Sequence, residues 1–419
     1  MSNSLLTKYL HKHASLRTFE PELPKHVYSG AVVIPCLAES ENLPLTLASL
    51  SKCSPESLRE TMVLVVVNQE PDCGGEKSAD NQRLLSLLRE SELHISEDMN
   101  LFWIDAASPG YEIIKGGVGA ARKIGMDSAL QYLGGEDSLL FCLDADTLVE
   151  PNYLNAAYNY FKDSHASAAV CDFRHQNSEN AVEQAAIIEY ELYMRYYELG
   201  LKLAGSPYAY QALGSAIVTT TASYVKAGGM RIKNGGEDFY FLQALRKFGP
   251  VMRLDTTTVH PAARQSDRVA FGTGPRIRRI ADGEHMTFHH PGIFSELCNV
   301  ISSVRANLDN SEEIPESLGS GASAGFFYAN RFADSWTKIL RNTPNSPDKI
   351  ESAFNTWFDA FRTLKFVHFL EEKLPDKFRP QPIGEAFSEL YKQFDISFPE
   401  MPLSPDGILE RLRSDDLTD

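Results

Sequence analysis

Asp144 and Asp146 end the run Leu140–Phe141–Cys142–Leu143, so two carboxylates follow an apolar, strand-like stretch with one residue between them. Residues i and i+2 share a face of a strand. If the strand frays at Asp144, both carboxyl groups open into one cleft. Two carboxylates held together repel each other unless a cation lies between them. Oxygen ligands suit a hard ion such as Mg²⁺ or Mn²⁺, which usually shares its shell with substrate phosphates. A strand-end Asp-x-Asp therefore points to chemistry on a phosphorylated donor. Taken alone, the same residues also suit a solvated turn before a helix, because Thr147 and Glu150–Pro151 would start one well.

A second acidic signal is Gly235–Gly236–Glu237–Asp238. The glycines free the backbone, and the two acids open a helical pattern that reaches Phe248. Carboxylates are stabilised at a helix N-terminus by the dipole. In a cleft, an ionised Asp238 could instead accept a proton from an acceptor hydroxyl. A third signal is Lys115–Gly–Gly–Val–Gly–Ala–Ala–Arg122. Glycines leading into a helix let backbone amides approach a phosphate, and Lys115 and Arg122 would add charge. No G-K-[ST] follows, so this is no Walker A loop, and the glycines do not fit G-x-G-x-x-G after a strand.

These residues need a scaffold, and the hydrophobic pattern supplies one. Strand-like runs at Ala31–Pro35, Met62–Val67, Leu101–Ile104, Ser138–Leu143 and Ala166–Phe173 alternate with helical patterns at 42–52, 79–90, 116–132 and 152–161. Such alternation predicts an α/β fold with a mostly parallel sheet and helices on both faces. Ligands then bind at the carboxyl ends of the strands, where Asp144 and Asp146 fall. Strands are also expected at Leu213–Thr220 and from Val251, with helices at 179–204 and 237–248. The tyrosines 190, 193 and 197 on the longest helix read as a packing face before an acceptor platform. Beyond residue 290 the pattern is helical, with single helices expected over 326–340, 350–374 and 385–394. The expected division is a lead-in over 1–28, a catalytic domain over 29–290 and a helical extension over 291–419.

The 419-residue chain is 43% hydrophobic and carries a formal net charge of −16. That charge argues against nucleic acid or an anionic membrane as a partner bound by bulk attraction. Six scattered cysteines without a C-x-x-C suit a reducing compartment. Neither a secretory signal nor a spanning apolar run is present, so a cytoplasmic protein without integral membrane segments is expected.

In their order along the chain, the motifs resemble the family 2 glycosyltransferases of GT-A fold. Ala31–Leu43, with Pro35 and acidic residues before the first helix, is similar to that family's opening strand and turn. Gly117–Val–Gly–Ala–Ala–Arg–Lys–Ile–Gly125 resembles its GxxxARNxG helix. Leu143–Asp144–Ala145–Asp146 followed by Pro151 resembles its D-x-D segment. Gly214–Val218 with Val225–Met230 resembles the strand and helix before its acceptor site, and Gly236–Glu237–Asp238 its E-D motif. The resemblance covers about Gly30 to Gly274 and implies a Rossmann-like GT-A domain acting non-processively on a nucleotide-sugar donor. It implies Mn²⁺ or Mg²⁺ held by Asp144 and Asp146, with His260 as a further metal ligand or a hydrogen-bonded structural histidine. Asp238 becomes the catalytic base, inversion the expected outcome, and the acceptor stays unassigned. Pro35, Glu39, Asn68, Lys115, Arg122 and Asp144 fall on the donor side, and Gly214 and Glu237 on the acceptor side. Arg264 and Arg268 could clamp a diphosphate or face solvent. The chain departs from the pattern at Asn68–Gln69, where many relatives have an aspartate pair, and it lacks Q-x-x-R-W: Gln265–Ser–Asp–Arg268–Val269 echoes that motif only in part.

Other motifs point elsewhere with less force. Gly321–Ala–Ser323–Ala–Gly325 matches a nucleophile elbow but follows a loop rather than a strand, so Ser323 reads as a helix cap. His285, His289 and His290 lack a third soft ligand and read as surface histidines. A nucleotidyltransferase of similar sheet architecture would begin with a glycine-rich basic loop, which Pro35–Glu41 is not. A non-catalytic nucleotide-sugar-binding scaffold would need no base. The helices after residue 290 are candidates for a homo-oligomer contact.

Overall fold

The computed structural model of the chain describes residues 3–22, 26–93, 95–233, 235–264, 273–284, 286–396 and 404–414. The expected motif echo at Gln265–Val269, with Arg268, and His285 lie outside the described residues. The chain divides into two compact units. One comprises Met1–Gln184 and Ala212–Arg278, the other Ala185–Gln211 and Arg279–Asp419.

The first unit is built on a single eight-stranded sheet. Its strands are β1 (Gly30–Cys36), β2 (Thr61–Asn68), β3 (Asn100–Ala106), β4 (Leu139–Cys142), β5 (Thr147–Val149), β6 (Ala168–Phe173), β7 (Ile217–Thr220) and β8 (Val251–Pro261), in the order β3-β2-β1-β4-β7-β6-β8-β5. Helices α1 (Asn3–Lys12), α2 (Leu43–Leu50), α3 (Pro55–Arg59), α4 (Gly75–Arg89), α5 (Gly117–Ala129) and α6 (Tyr153–Asp163) intervene, with α8 (Thr221–Lys226) and α9 (Glu237–Arg246) further on. α7 (Ala181–Leu203) and α10 (Thr273–Ala281) run across the division between the units.

Every residue of β1, β2 and β4 is buried. Successive side chains point to opposite faces, so both faces of this part of the sheet are covered. The expectation of a mostly parallel sheet needs correcting: the sheet is mixed. β3, β2, β1 and β4 pair in parallel, but β7 runs antiparallel to both β4 and β6, and β5 runs antiparallel to β8. The three-residue β5 is too short for a hydrophobic period to reveal, and period alone carries no strand direction.

The residues expected to be a lead-in are tied into this unit. Buried Asp127 of α5 accepts hydrogen bonds from the Tyr9 and Tyr224 hydroxyls, both at 2.7 Å, and from the Ser15 amide at 2.7 Å, and pairs with Lys123 at 2.8 Å. Four donors around one carboxylate hold α1 and α8 to the same turn of α5.

The second unit is helical. α11 (Pro291–Ala306), α12 (Ile314–Ser317), α13 (Ala324–Ala329), α14 (Phe332–Leu340), α15 (Pro347–Trp357), α16 (Ala360–Lys373), α17 (Ile383–Gln393) and α18 (Pro405–Ser414) follow one another. Together with the Ala185–Gln211 stretch they enclose a core rich in aromatic rings, including Tyr196, Phe294, Phe326, Trp336, Phe354 and Phe366. The expected helix over 326–340 breaks at Arg331, which has φ of +50°, and that over 350–374 breaks where Asp359 caps α16. Ser323 stands at the N-cap of α13 without a side-chain cap bond.

His289 and His290 are not surface histidines. His289 is buried, its Nδ1 2.6 Å from Glu371 Oε1 and its Nε2 3.0 Å from the Tyr193 hydroxyl. Nδ1 donates to the carboxylate, and Nε2 shares a hydrogen bond with the tyrosine hydroxyl. His290 Nδ1 accepts from the Gly292 amide and so caps α11. Tyr193, Tyr196 and Tyr197 pack against Phe288, His289 and Phe294, so this tyrosine face is packing surface.

Candidate active site

The backbone after β4 turns sharply, and three contacts fix it. The Thr147 amide donates to the Asp144 carbonyl at 3.1 Å, which closes the turn. The Thr46 hydroxyl donates to the Ala145 carbonyl at 2.8 Å. Gln176 Nε2 donates to the carbonyls of Asp146 at 3.0 Å and His260 at 2.7 Å. With the main chain held, the two carboxyl groups reach two different arginines.

The first arginine, Arg122, comes from α5. Its Nη2 lies 2.5 Å from Asp144 Oδ1, and its Nη1 pairs with Glu237. The Arg122 side chain is only 3% exposed, so this guanidinium has exchanged water for two carboxylates. Burial works against its charge, but Asp144 and Glu237 outweigh that and hold its proton more firmly than usual. Three glycines make the arrangement possible. A Cβ on Gly214 would fall on the guanidinium of Arg122, which the ion pairs prevent from moving aside. Gly235 and Gly236, with φ of +110° and +69°, turn the chain through the left-handed region so that α9 starts with Glu237 beneath Arg122. In α5 itself Gly125 serves packing: a Cβ there would strike Val33 and Val66, which lets α5 lie close on β1 and β2.

The second arginine, Arg264, follows β8. Its Nη2 and Nε lie 2.7 and 3.1 Å from Asp146 Oδ2, and Nη2 is also 2.5 Å from Glu39 Oε1. Glu39 is buried, and its other oxygen accepts from Asn42 Nδ2 at 2.7 Å. The Arg264 side chain is 33% exposed.

Asp238 sits beside the first arginine. Its Oδ1 accepts from the Phe239 amide at 2.7 Å. Burial, reinforced by the neighbouring Glu237 and by Asp144, pushes its carboxyl up to about 7, with Arg122 opposing. The Asp146 carboxyl is likewise raised, by burial first and by Asp144 as well, with Arg264 opposing. The charge of Asp144 is therefore felt both by Asp146, two residues on, and by Asp238, far away in sequence.

Five carboxyl groups (Glu39, Asp144, Asp146, Glu237 and Asp238) meet two guanidiniums here. That leaves an excess of up to three negative charges, which a bound cation would offset. Among the described residues no group of three or more His, Cys, Asp and Glu is arranged to hold a metal ion. The donor set thus does not fit an all-protein cage. It does fit Mg²⁺ or Mn²⁺ held by two carboxylates and otherwise by water and phosphate.

No family model matches the chain, and no curated protein matches it. Among solved structures it is similar to S. aureus TarS 1-349 in complex with UDP-GlcNAc, at 14% identity over 86% of this chain and 91% of that one, with a TM-score of 0.39. It is similar to the same protein with UDP, at 13% identity over 83% and 91%, with a TM-score of 0.40. The mannosyltransferase PcManGT from Pyrobaculum calidifontis, in complex with GDP-Man and Mn²⁺, matches at 14% identity over 85% and 93%, with a TM-score of 0.37. TM-scores this low carry no argument about activity. Among the described residues, no helix is long and apolar enough to cross a membrane.

The remaining expected site residues lie in varied surroundings. Asn68 ends β2 and is buried, and its Oδ1 has no hydrogen-bond partner among the described residues. Pro35 is buried within β1, opposite Val66 in β2. Lys115 is exposed just before α5. His260 pairs with Leu148 across β8 and β5; its Nδ1 lies 3.1 Å from the Arg174 carbonyl and its Nε2 3.8 Å from Glu150. Arg122 and Glu39 spend their charge on partners within the protein. Three bracing residues escape a reading of sequence. Gln176 pins the Asp146 turn, Asn81 Oδ1 accepts from the Ala38 amide, and Asp80 accepts from Ser40. Asn81 alone leaves a signal, as an amide among the buried leucines of α4.

Proposed function

We propose that the chain is a cation-assisted glycosyltransferase of family 2, GT-A type, that moves a sugar from a nucleotide-sugar donor to an acceptor hydroxyl with inversion. The observation that supports this reading is that Asp144, paired with Arg122 beside Glu237, acts through its charge on both Asp146 and Asp238. Mn²⁺ or Mg²⁺ bound to Asp144 and Asp146 would stabilise charge on the departing nucleoside diphosphate. Asp238, whose carboxyl titrates near neutrality, accepts the acceptor's hydroxyl proton as that oxygen attacks the anomeric carbon. The bond to the diphosphate oxygen breaks on the opposite side, which inverts the centre. Arg122 keeps Glu237 and Asp144 in place while this happens. Glu39, Asn68, Pro35 and Lys115 form the donor side and Gly214 with Glu237 the acceptor side. His260 is held against Arg174 and Glu150, which favours its structural role.

The division into a lead-in, a catalytic domain over 29–290 and a helical extension belongs to the same proposal, as do a cytoplasmic setting and self-association through the C-terminal helices. A panel of nucleotide sugars with Mn²⁺ or Mg²⁺, scored for nucleoside diphosphate release, tests the reading. Release from at least one donor is expected. Failure of every donor in the presence of cation, or undiminished turnover by Asp238→Asn, would remove it.

A further inference from the structure

We propose that Arg264 is an internal counter-ion that competes with a divalent cation for Asp146, so that cation and anionic ligand bind with positive cooperativity. The inference rests on the functional reading above for the identity of the ligands, and on geometry for the exchange. Both described nitrogens of Arg264 that touch Asp146 converge on a single oxygen, Oδ2. That oxygen belongs to one of the two carboxylates offered to the ion. A cation and a guanidinium cannot share it without repulsion. Arg264 is also the movable partner. It is a third exposed, it stands beyond the end of β8, and water can solvate it once it leaves. Arg122 has no such freedom, with 3% exposure and Gly214 pressed on its guanidinium.

The exchange links two binding events. A cation that takes Asp146 releases a planar cation with a fork of donors at the mouth of the cleft, where it matches phosphate geometry. An anion that draws Arg264 away relieves Asp146 Oδ2 of that guanidinium. Linkage requires each ligand to raise the other's affinity by the same factor. Without an anion, the cation competes with Arg264 and binds weakly. Glu39 keeps Arg264 close during the exchange, because Nη2 contacts both carboxylates.

The test is a Mn²⁺ titration, read by the loss of the free-ion electron paramagnetic resonance signal, with and without a nucleoside diphosphate from a set of UDP, GDP, ADP and CDP. Wild type, Arg264→Gln and Arg264→Lys are compared after circular dichroism confirms native helix content. The expected result for Arg264→Gln is at least tenfold tighter Mn²⁺ binding without nucleotide and a smaller enhancement by the diphosphate. Arg264→Lys should fall between the two, since it keeps the charge but loses the fork. If Arg264→Gln does not fold, a gain in the Lys variant carries the same meaning. Equal or weaker Mn²⁺ binding in the folded variants overturns the proposal. The same gain in Lys247→Gln, which removes an exposed positive charge elsewhere, overturns it too. Should no nucleoside diphosphate bind, the glycosyltransferase reading fails, while the Mn²⁺ comparison between wild type and variants still decides the exchange.

Discussion

Arg122 and Arg264 each bridge two carboxylates at the strand ends, in opposite surroundings. Arg122 is sealed between Asp144 and Glu237, with a glycine against its guanidinium. Arg264 joins Glu39 to Asp146 from a position water reaches. The same pairing chemistry therefore does two jobs. A buried pair is costly to break because the partner left behind stays uncompensated. An arginine that water reaches is easier to release, even though its partner Glu39 is buried. The difference teaches that burial separates a scaffold arginine from one that a ligand can exchange.

That contrast can be attacked by substitution. Arg122→Ala leaves Glu237 buried and unpaired and should destabilise the chain by about 3–5 kcal/mol in denaturant melts. A loss below about 1 kcal/mol would erase the distinction. Asp238→Asn tests the field around the first clamp. The folded-state carboxyl lies near 7, above its ordinary 3.8. The folded form therefore holds the proton more tightly, and wild-type stability falls as pH rises through that window. The variant cannot ionise, so its stability relative to wild type should improve by about 2–4 kcal/mol between pH 4 and pH 8. Parallel stability curves would refute the raised carboxyl. Gly214→Ala places a methyl on the Arg122 guanidinium and should cost about 1–3 kcal/mol, visible as a lower melting temperature. Arg264→Gln leaves Glu39 buried but keeps an amide that can hydrogen-bond to it, so it should cost about 1–3 kcal/mol, less than Arg122→Ala. A loss as large as that of Arg122→Ala would make both arginines scaffold.

Parts of this site were legible because local chemistry announces them. An apolar strand that stops at Asp-x-Asp, and a double glycine before Glu–Asp, put acids where the chain turns. β1, β2 and β4 follow most directly from apolar runs, because they are buried throughout and carry no polar interruption in their centres. Direction was not legible: the antiparallel insertion of β7 between β4 and β6 depends on pairing partners that no periodicity encodes. The basic glycine helix read as a phosphate cradle, yet Arg122 turns inward and Gly125 serves packing. The neighbouring Gly119, Ala120 and Ala121 are the available hint, because small residues make room for close neighbours around a buried guanidinium. In the helical unit, His289 could not be placed from sequence because its partners, Tyr193 and Glu371, are remote along the chain.

The most direct test of the central claim is kcat/KM for nucleoside diphosphate release, measured against pH with saturating Mn²⁺ for wild type and Asp238→Asn. The account predicts a rise with pH through an apparent pKa no higher than about 7 in wild type, since Mn²⁺ beside Asp144 favours the ionised Asp238, and a fall of roughly 10²–10⁴-fold in the variant at pH 8. A flat wild-type profile, or a variant as fast as wild type, would contradict it.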